Sequence, residues 1–108
     1  MGKKRLHSEI MEEICRKLIE NGINFETEHF IRLSKDKAMR ADIAILYNGR
    51  VACLVEVKRN TGRTFKKGYT KQYMKYMESG YQFLCCGQAH KRIDETIEHI
   101  TDILRAIR

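Results

Sequence analysis

The chain has 108 residues, room for one domain, with 43% apolar residues to build its core. Its 21 lysines and arginines outweigh 14 aspartates and glutamates for a net charge of +7, so a polyanionic partner is expected. No apolar run approaches the roughly 18 residues a membrane span needs, and the basic start, Met1 to Arg5, runs into polar and acidic residues instead of a hydrophobic signal segment. An intracellular, cytoplasmic domain without a membrane partner is the expectation.

From the N-terminus, Ile10, Met11, Ile14, Leu18 and Ile19 recur at helical spacing. They predict a helix over Ser8 to Asn21, with Ser8 as N-cap and Gly22 as its stop. Ile23, Phe25, Thr27, His29 and Ile31 alternate with polar residues as in a half-buried strand, and Ser34 to Arg40 reads as a charged connection. The apolar runs Asp42 to Tyr47 and Val51 to Val57 flank Asn48-Gly49, a strong hairpin signal.

After Lys58 the composition changes. Lys58, Arg59, Arg63, Lys66, Lys67, Lys71 and Lys75 are basic, and no acid occurs before Glu78. Phosphate contact is the better reading of such a run, with Arg59, Arg63, Lys66, Lys67 and Lys71 as candidate DNA-binding residues. Thr70 to Ser79 reads as a helix ended by Gly80, and Tyr81 to Cys86 as a short strand. Tyr69, Tyr73 and Tyr76 sit on one face of the former and are better read as core or subunit contacts than as base-stacking groups. Arg92 to Ile107 is an amphipathic helix with Ile93, Ile97, Ile100, Leu104 and Ile107 on its stripe. The order is α-β-β-β-α-β-α, an α/β domain spanning residues 1–108. Cys15, Cys53, Cys85 and Cys86 lie in apolar segments without zinc-ligand spacing and read as reduced core thiols.

The chemistry concentrates between Asp42 and Lys58. Strand periodicity puts Glu56 and Lys58 on one face, at the end of a run too apolar to carry them without partners. Asp42 opens the neighbouring strand, so two carboxylates can converge beside one lysine. Paired hard oxygen ligands suit Mg²⁺ or Mn²⁺, and a lysine beside such an ion can orient a water for attack on phosphorus. The competing reading is a structural ion pair at a sheet edge. His29, His90 and His99 show no ligand spacing and carry no assignment.

Asp42, then the hairpin, then Glu56-Val57-Lys58 resembles the PD-(D/E)XK nuclease superfamily, and most closely its virus-type replication-repair nuclease (VRR-NUC) branch. The likeness begins in a first helix ending in Leu18-x3-Gly22. It runs through Ala41-Asp42-Ile43, Val55 to Arg59 and the glycine-bearing basic loop, to Gln72 and a helix closing at Gly80. It implies a restriction-endonuclease-like core with a mixed sheet flanked by helices. Asp42, Glu56 and the Val57 carbonyl would hold Mg²⁺, with Mn²⁺ as a substitute. Lys58 would position the water, and Gln72 would orient Lys58 or the phosphate. Ala41 stands where the motif usually has proline. His7 stands where the branch tends to have a glutamate, so the further ligand is His7, or else Glu12 or Glu9, or this helix supplies none. The implied activity is that of a Mg²⁺-dependent DNA endonuclease, structure-selective toward branched or junction DNA and working as a homodimer. A catalytically inactive, basic nucleic-acid-binding module with the nuclease fold, or a subunit active only within a larger complex, is the alternative.

Parity constrains the metal reading. A two-residue Asn48-Gly49 loop pairs Tyr47 with Arg50 and sets Asp42 opposite Val55, on the face away from Glu56. One extra residue is therefore required. A three-residue loop, Tyr47-Asn48-Gly49, would supply it and pair Asp42 with Leu54; so would a bulge lower down, near Asp42 or Val55.

Overall fold

The computed structural model describes residues 6–58 and 81–107. Its elements are α1 (His7–Glu20), β1 (Asn24–Ser34), β2 (Lys37–Tyr47), β3 (Arg50–Val57), β4 (Phe83–Cys86) and α2 (His90–Ile107). The strands form one mixed sheet in the order β1-β2-β3-β4, antiparallel except for the β3–β4 pair, which is parallel. The α/β class is as the sequence predicts. The expected helix over Thr70 to Ser79, Gln72, the tyrosines, and the basic residues Arg59, Arg63, Lys66, Lys67 and Lys71 all lie outside the described residues.

Both helices cover the same sheet face. Ile10, Ile14 and Leu18 of α1 and Ile93, Ile97, Ile100 and Leu104 of α2 meet Ile43, Ile45, Cys53, Val55, Val57 and Cys86 in one core. The stripes are shorter than the periodicity suggests: Ile19 and Ile107 are exposed. Helix α1 starts one residue early, capped from Leu6: Glu9 Oε1 accepts the Leu6 N–H at 3.0 Å, while the Leu6 carbonyl accepts the Glu9 N–H. Ser8 is inside the helix and is not its cap. Gly22 follows the helix with φ 66°, the left-handed stop its position predicts. No helix among the described residues is long and apolar enough to cross a membrane.

Two corrections concern β2. Residues 34–40 are not a connection: β1 and β2 run on through them to a tight turn at Lys35-Asp36, pairing Phe30 with Arg40 and Arg32 with Ala38. Since β3 pairs with β2 only from Ile43 onward, this far half of β1–β2 extends past the sheet as a two-stranded arm. At its base Glu28, facing Asp42 across the ladder, takes φ 51°. Beyond that kink Ile31 and Ala41 join Ala44 and Leu54 on the face away from the helices.

The second correction is the hairpin. Tyr47 pairs with Arg50, and Asn48 (φ 52°) and Gly49 (φ 76°) form a two-residue turn of type I′ geometry, not a three-residue loop. The extra residue lies further along β3: Leu46 pairs with Val51 but Ile45 with Cys53, leaving Ala52 as a bulge. Two positive-φ residues match the strand twist, so the short turn keeps its favoured form and the ladder absorbs the parity change instead.

Burial holds the Cys53 thiol at a pKa of about 12. The unfolded thiol ionises near 9, so this contribution to stability is whole below pH 9 and is lost as pH rises toward 12. Unfolding titrations of Cys53→Ala should show an alkaline slope shallower than the parent's by up to about 1.4 kcal/mol per pH unit. An identical slope would contradict the buried-thiol account.

Candidate active site

The bulge at Ala52 decides the geometry at the other end of β3. Ile43 pairs with Val55, and the same register carried one step past that last pair would set Asp42 opposite Glu56. Opposed residues share a face, and their Cβ atoms lie about 5 Å apart in a regular ladder. The bulge thus removes the parity obstacle that a regular two-residue hairpin would set, and the paired ladder itself ends at Ile43 and Val55.

Hydrogen-bond direction explains how Asp42 is held. Along β3 alternate N–H groups point to opposite neighbours: Leu54 donates to Gln82 and Lys58 donates to Cys86, both on the β4 side. The Val57 N–H therefore points toward β2, where Asp42 Oδ2 accepts it at 2.8 Å. The carboxylate stands where the ladder stops. His7 Nε2, on the first residue of α1, lies 3.3 Å from the same oxygen. His7 is thus no core histidine, its side chain being 45% exposed. Glu12 is exposed and Glu9 is turned to the α1 N-terminus, which leaves His7 as the α1 residue that reaches Asp42.

Glu56 is only 6% exposed, and Lys58 Nζ lies 3.4 Å from its Oε1. Burying a lone carboxylate is expensive, and the neighbouring ammonium offsets that cost. Across the parallel pair Cys85 stands beside Glu56. Burial pushes its thiol up to about 12, Lys58 opposes the rise, and Glu56, Cys86 and Asp42 add to it. One thiol thus feels the charges of Asp42, Glu56 and Lys58 together, which places all three at the same end of the sheet. That end is the carboxyl end of the parallel pair, where open α/β sheets commonly bind ligands. Among the described residues, no three His, Cys, Asp or Glu side chains gather closely enough to form a ready-made metal cage.

A second polar cluster, which the sequence reading did not single out, ties the helices together. Glu13 is 5% exposed, and its Oε2 lies 2.8 Å from His90 Nδ1 and 3.3 Å from Lys17 Nζ. Lys17 also pairs with Asp94, the chief cause of its raised pKa. The signal available was an acid at an inward helical position beside Ile10 and Ile14. These contacts link α1 to α2 away from Asp42, and they account for His90.

No protein-family model matches this sequence, and none of the curated proteins matches it.

His7 carries the prediction of this site. If a divalent cation binds at Asp42, His7→Ala should weaken Mn²⁺ binding several-fold while moving the melting temperature by less than about 2 °C, since exposed side chains contribute little to stability. Unchanged Mn²⁺ binding with a lowered melting temperature would make His7 a structural partner of Asp42 and nothing more.

Proposed function

We propose that this domain is a Mg²⁺-dependent DNA endonuclease of the PD-(D/E)XK type, closest to the VRR-NUC branch. One observation supports the reading: the Ala52 bulge shifts the β2–β3 register by one, the shift a shared ion at Asp42 and Glu56 requires, and Lys58 lies 3.4 Å from Glu56. A hairpin without that bulge would separate the two carboxylates by the full thickness of the sheet.

The donor set fits a hard divalent cation. Asp42 and Glu56 would hold it, with the Val57 carbonyl and His7 as further ligands. Lys58 already compensates the charge of Glu56, and a cation between the two carboxylates would take over that role. When bound, Mg²⁺ supplies Lewis-acid stabilisation of charge at the scissile phosphate. Lys58, beside Glu56, holds the attacking water and stabilises negative charge developing on the phosphate. Asp42 is kept in place by the Val57 N–H, so its orientation is set before substrate arrives. Gln72 belongs to the same proposal, as a group orienting Lys58 or the phosphate, and Arg59, Arg63, Lys66, Lys67 and Lys71 as phosphate contacts. The +7 charge supports DNA as partner, and the small domain supports a homodimer cutting branched DNA with two sites.

A second reading, a DNA-binding module that keeps the fold without cutting, is favoured by one observation: no closed group of three ligating side chains forms among the described residues. Incubating supercoiled plasmid and a four-way junction with the protein in Mg²⁺, and separately in EDTA, separates the two. Nicking in Mg²⁺ alone, with junction cut faster than linear duplex, is the expected result. Binding without any nicking would leave the second reading.

A further inference from the structure

The arm formed by β1 and β2 beyond the sheet carries an unusual surface. Phe30 is 72% exposed, more than any other large apolar side chain of the described residues. Directly across the ribbon stands Arg40, and Arg32 lies two residues along the same face, opposite Ala38. All of these are exposed. A lone exposed apolar residue needs no explanation, but an aromatic ring framed by two guanidinium groups on a projecting ribbon is a different matter. The ribbon face is also held in shape: Arg32 Nη1 donates to the Lys35 carbonyl at 3.2 Å, fixing the guanidinium against the turn.

Position adds to composition. The arm leaves the sheet at Asp42, with Arg40 two residues before it on the same strand. From Asp42 to the turn is about 20 Å of extended chain. That is more than half of the roughly 34 Å turn of a DNA duplex, long enough to reach across a groove from a phosphate that a cation at Asp42 would hold.

We infer that this arm is a DNA contact in which Phe30 stacks on an unpaired or unstacked base while Arg32 and Arg40 hold the flanking phosphates. Aromatic rings take any base by stacking, and paired arginines supply the sequence-independent hold on the backbone. The inference deepens the proposed function: it rests on DNA as the partner and names unpaired bases, such as those at a junction or flap, as the feature recognised. A second copy of this chain is the other occupant for an exposed ring, but the two arginines, brought face to face across a symmetric contact, would repel each other there.

The test is fluorescence anisotropy of the full chain in EDTA, where no cutting occurs, on a labelled four-way junction and on a perfect duplex. Phe30→Ala should weaken junction binding about tenfold or more and leave duplex binding within about twofold. Arg32→Gln combined with Arg40→Gln should weaken both and flatten the salt dependence by about two units in the log–log slope. Circular dichroism and sedimentation velocity on each variant accompany the titrations. Wild-type-like binding by both variants, absence of DNA binding by the parent, or a dimer lost on Phe30→Ala with per-site affinity unchanged would each overturn the inference. Losses as expected in a protein that never cuts in Mg²⁺ would keep the arm and remove the nuclease; cutting with arm variants that bind normally would do the reverse.

Discussion

Glu56→Ala and Lys58→Ala should each lower Mg²⁺-dependent DNA cleavage by about 10²- to 10⁴-fold, the range over which a positioned proton-transfer group acts. Both should still bind DNA within about threefold of the parent, because backbone phosphate contacts made elsewhere supply most of the affinity. The two residues are one unit: Glu56 is buried and Lys58 lies 3.4 Å from it. Removing Glu56 takes a buried carboxylate from beside the Lys58 ammonium, so Glu56→Gln belongs in the same series. It keeps the volume and hydrogen bonding while deleting the charge. A Gln variant that folds normally but does not cut separates lost chemistry from lost structure. Cutting at the parental rate by either Ala variant would remove the nuclease assignment from these residues.

Ile14→Ala should destabilise the domain by about 2–5 kcal/mol, the cost of emptying a fully buried aliphatic site. Ile14 is completely buried between the sheet and α2. Against a total stability of roughly 5–15 kcal/mol this is a large fraction, and the melting temperature should fall by about 10 °C or more. Ile19→Ala, on the exposed side of the same helix, should change stability by no more than about 0.5 kcal/mol. Urea or thermal unfolding of the pair checks the orientation of α1. Equal losses would mean that α1 presents a different face to the sheet, and with it that His7 does not reach Asp42.

Much of this was legible because local patterns and tertiary demands agree. Ile10, Ile14 and Leu18 on one helix, and Ile93, Ile97, Ile100 and Leu104 on the other, are inward by spacing and inward in the fold. Asn48-Gly49 announces its own turn. The same reasoning that demanded an extra residue in the β2–β3 ladder could not place it, because Ala52 has no feature that marks a bulge; only the finished register reveals it. The arm was missed for a related reason. Charged residues at Lys35, Asp36 and Arg40 look like a solvated loop, yet strand pairing needs only backbone, and an arm with one face in water tolerates them. Glu13 was hidden by convention: an acid on an apolar stripe reads as a surface residue until its partners arrive, Lys17 from a helix turn away and His90 from a distant segment.

The candidate site shows the same division. Glu56 and Lys58 share a face by simple alternation, and the sequence suffices for that. Bringing in Asp42 needs the bulge, and bringing in His7 needs α1 to dock with its first turn over the end of β3, which no local signal states. Cys85 enters only through the parallel pairing of β3 with β4.

Asp42 and Glu56 are proposed to share one divalent ion, and Mn²⁺ binding followed by electron paramagnetic resonance tests this most directly. The parent should bind one Mn²⁺ per chain, displaced by Mg²⁺. Asp42→Ala and Glu56→Ala should each weaken that binding by more than about tenfold, since losing even a supporting group of a metal site costs that much. Tight binding of one ion that survives the loss of either carboxylate, or no bound Mn²⁺ in a parent protein that cuts DNA, would contradict the account.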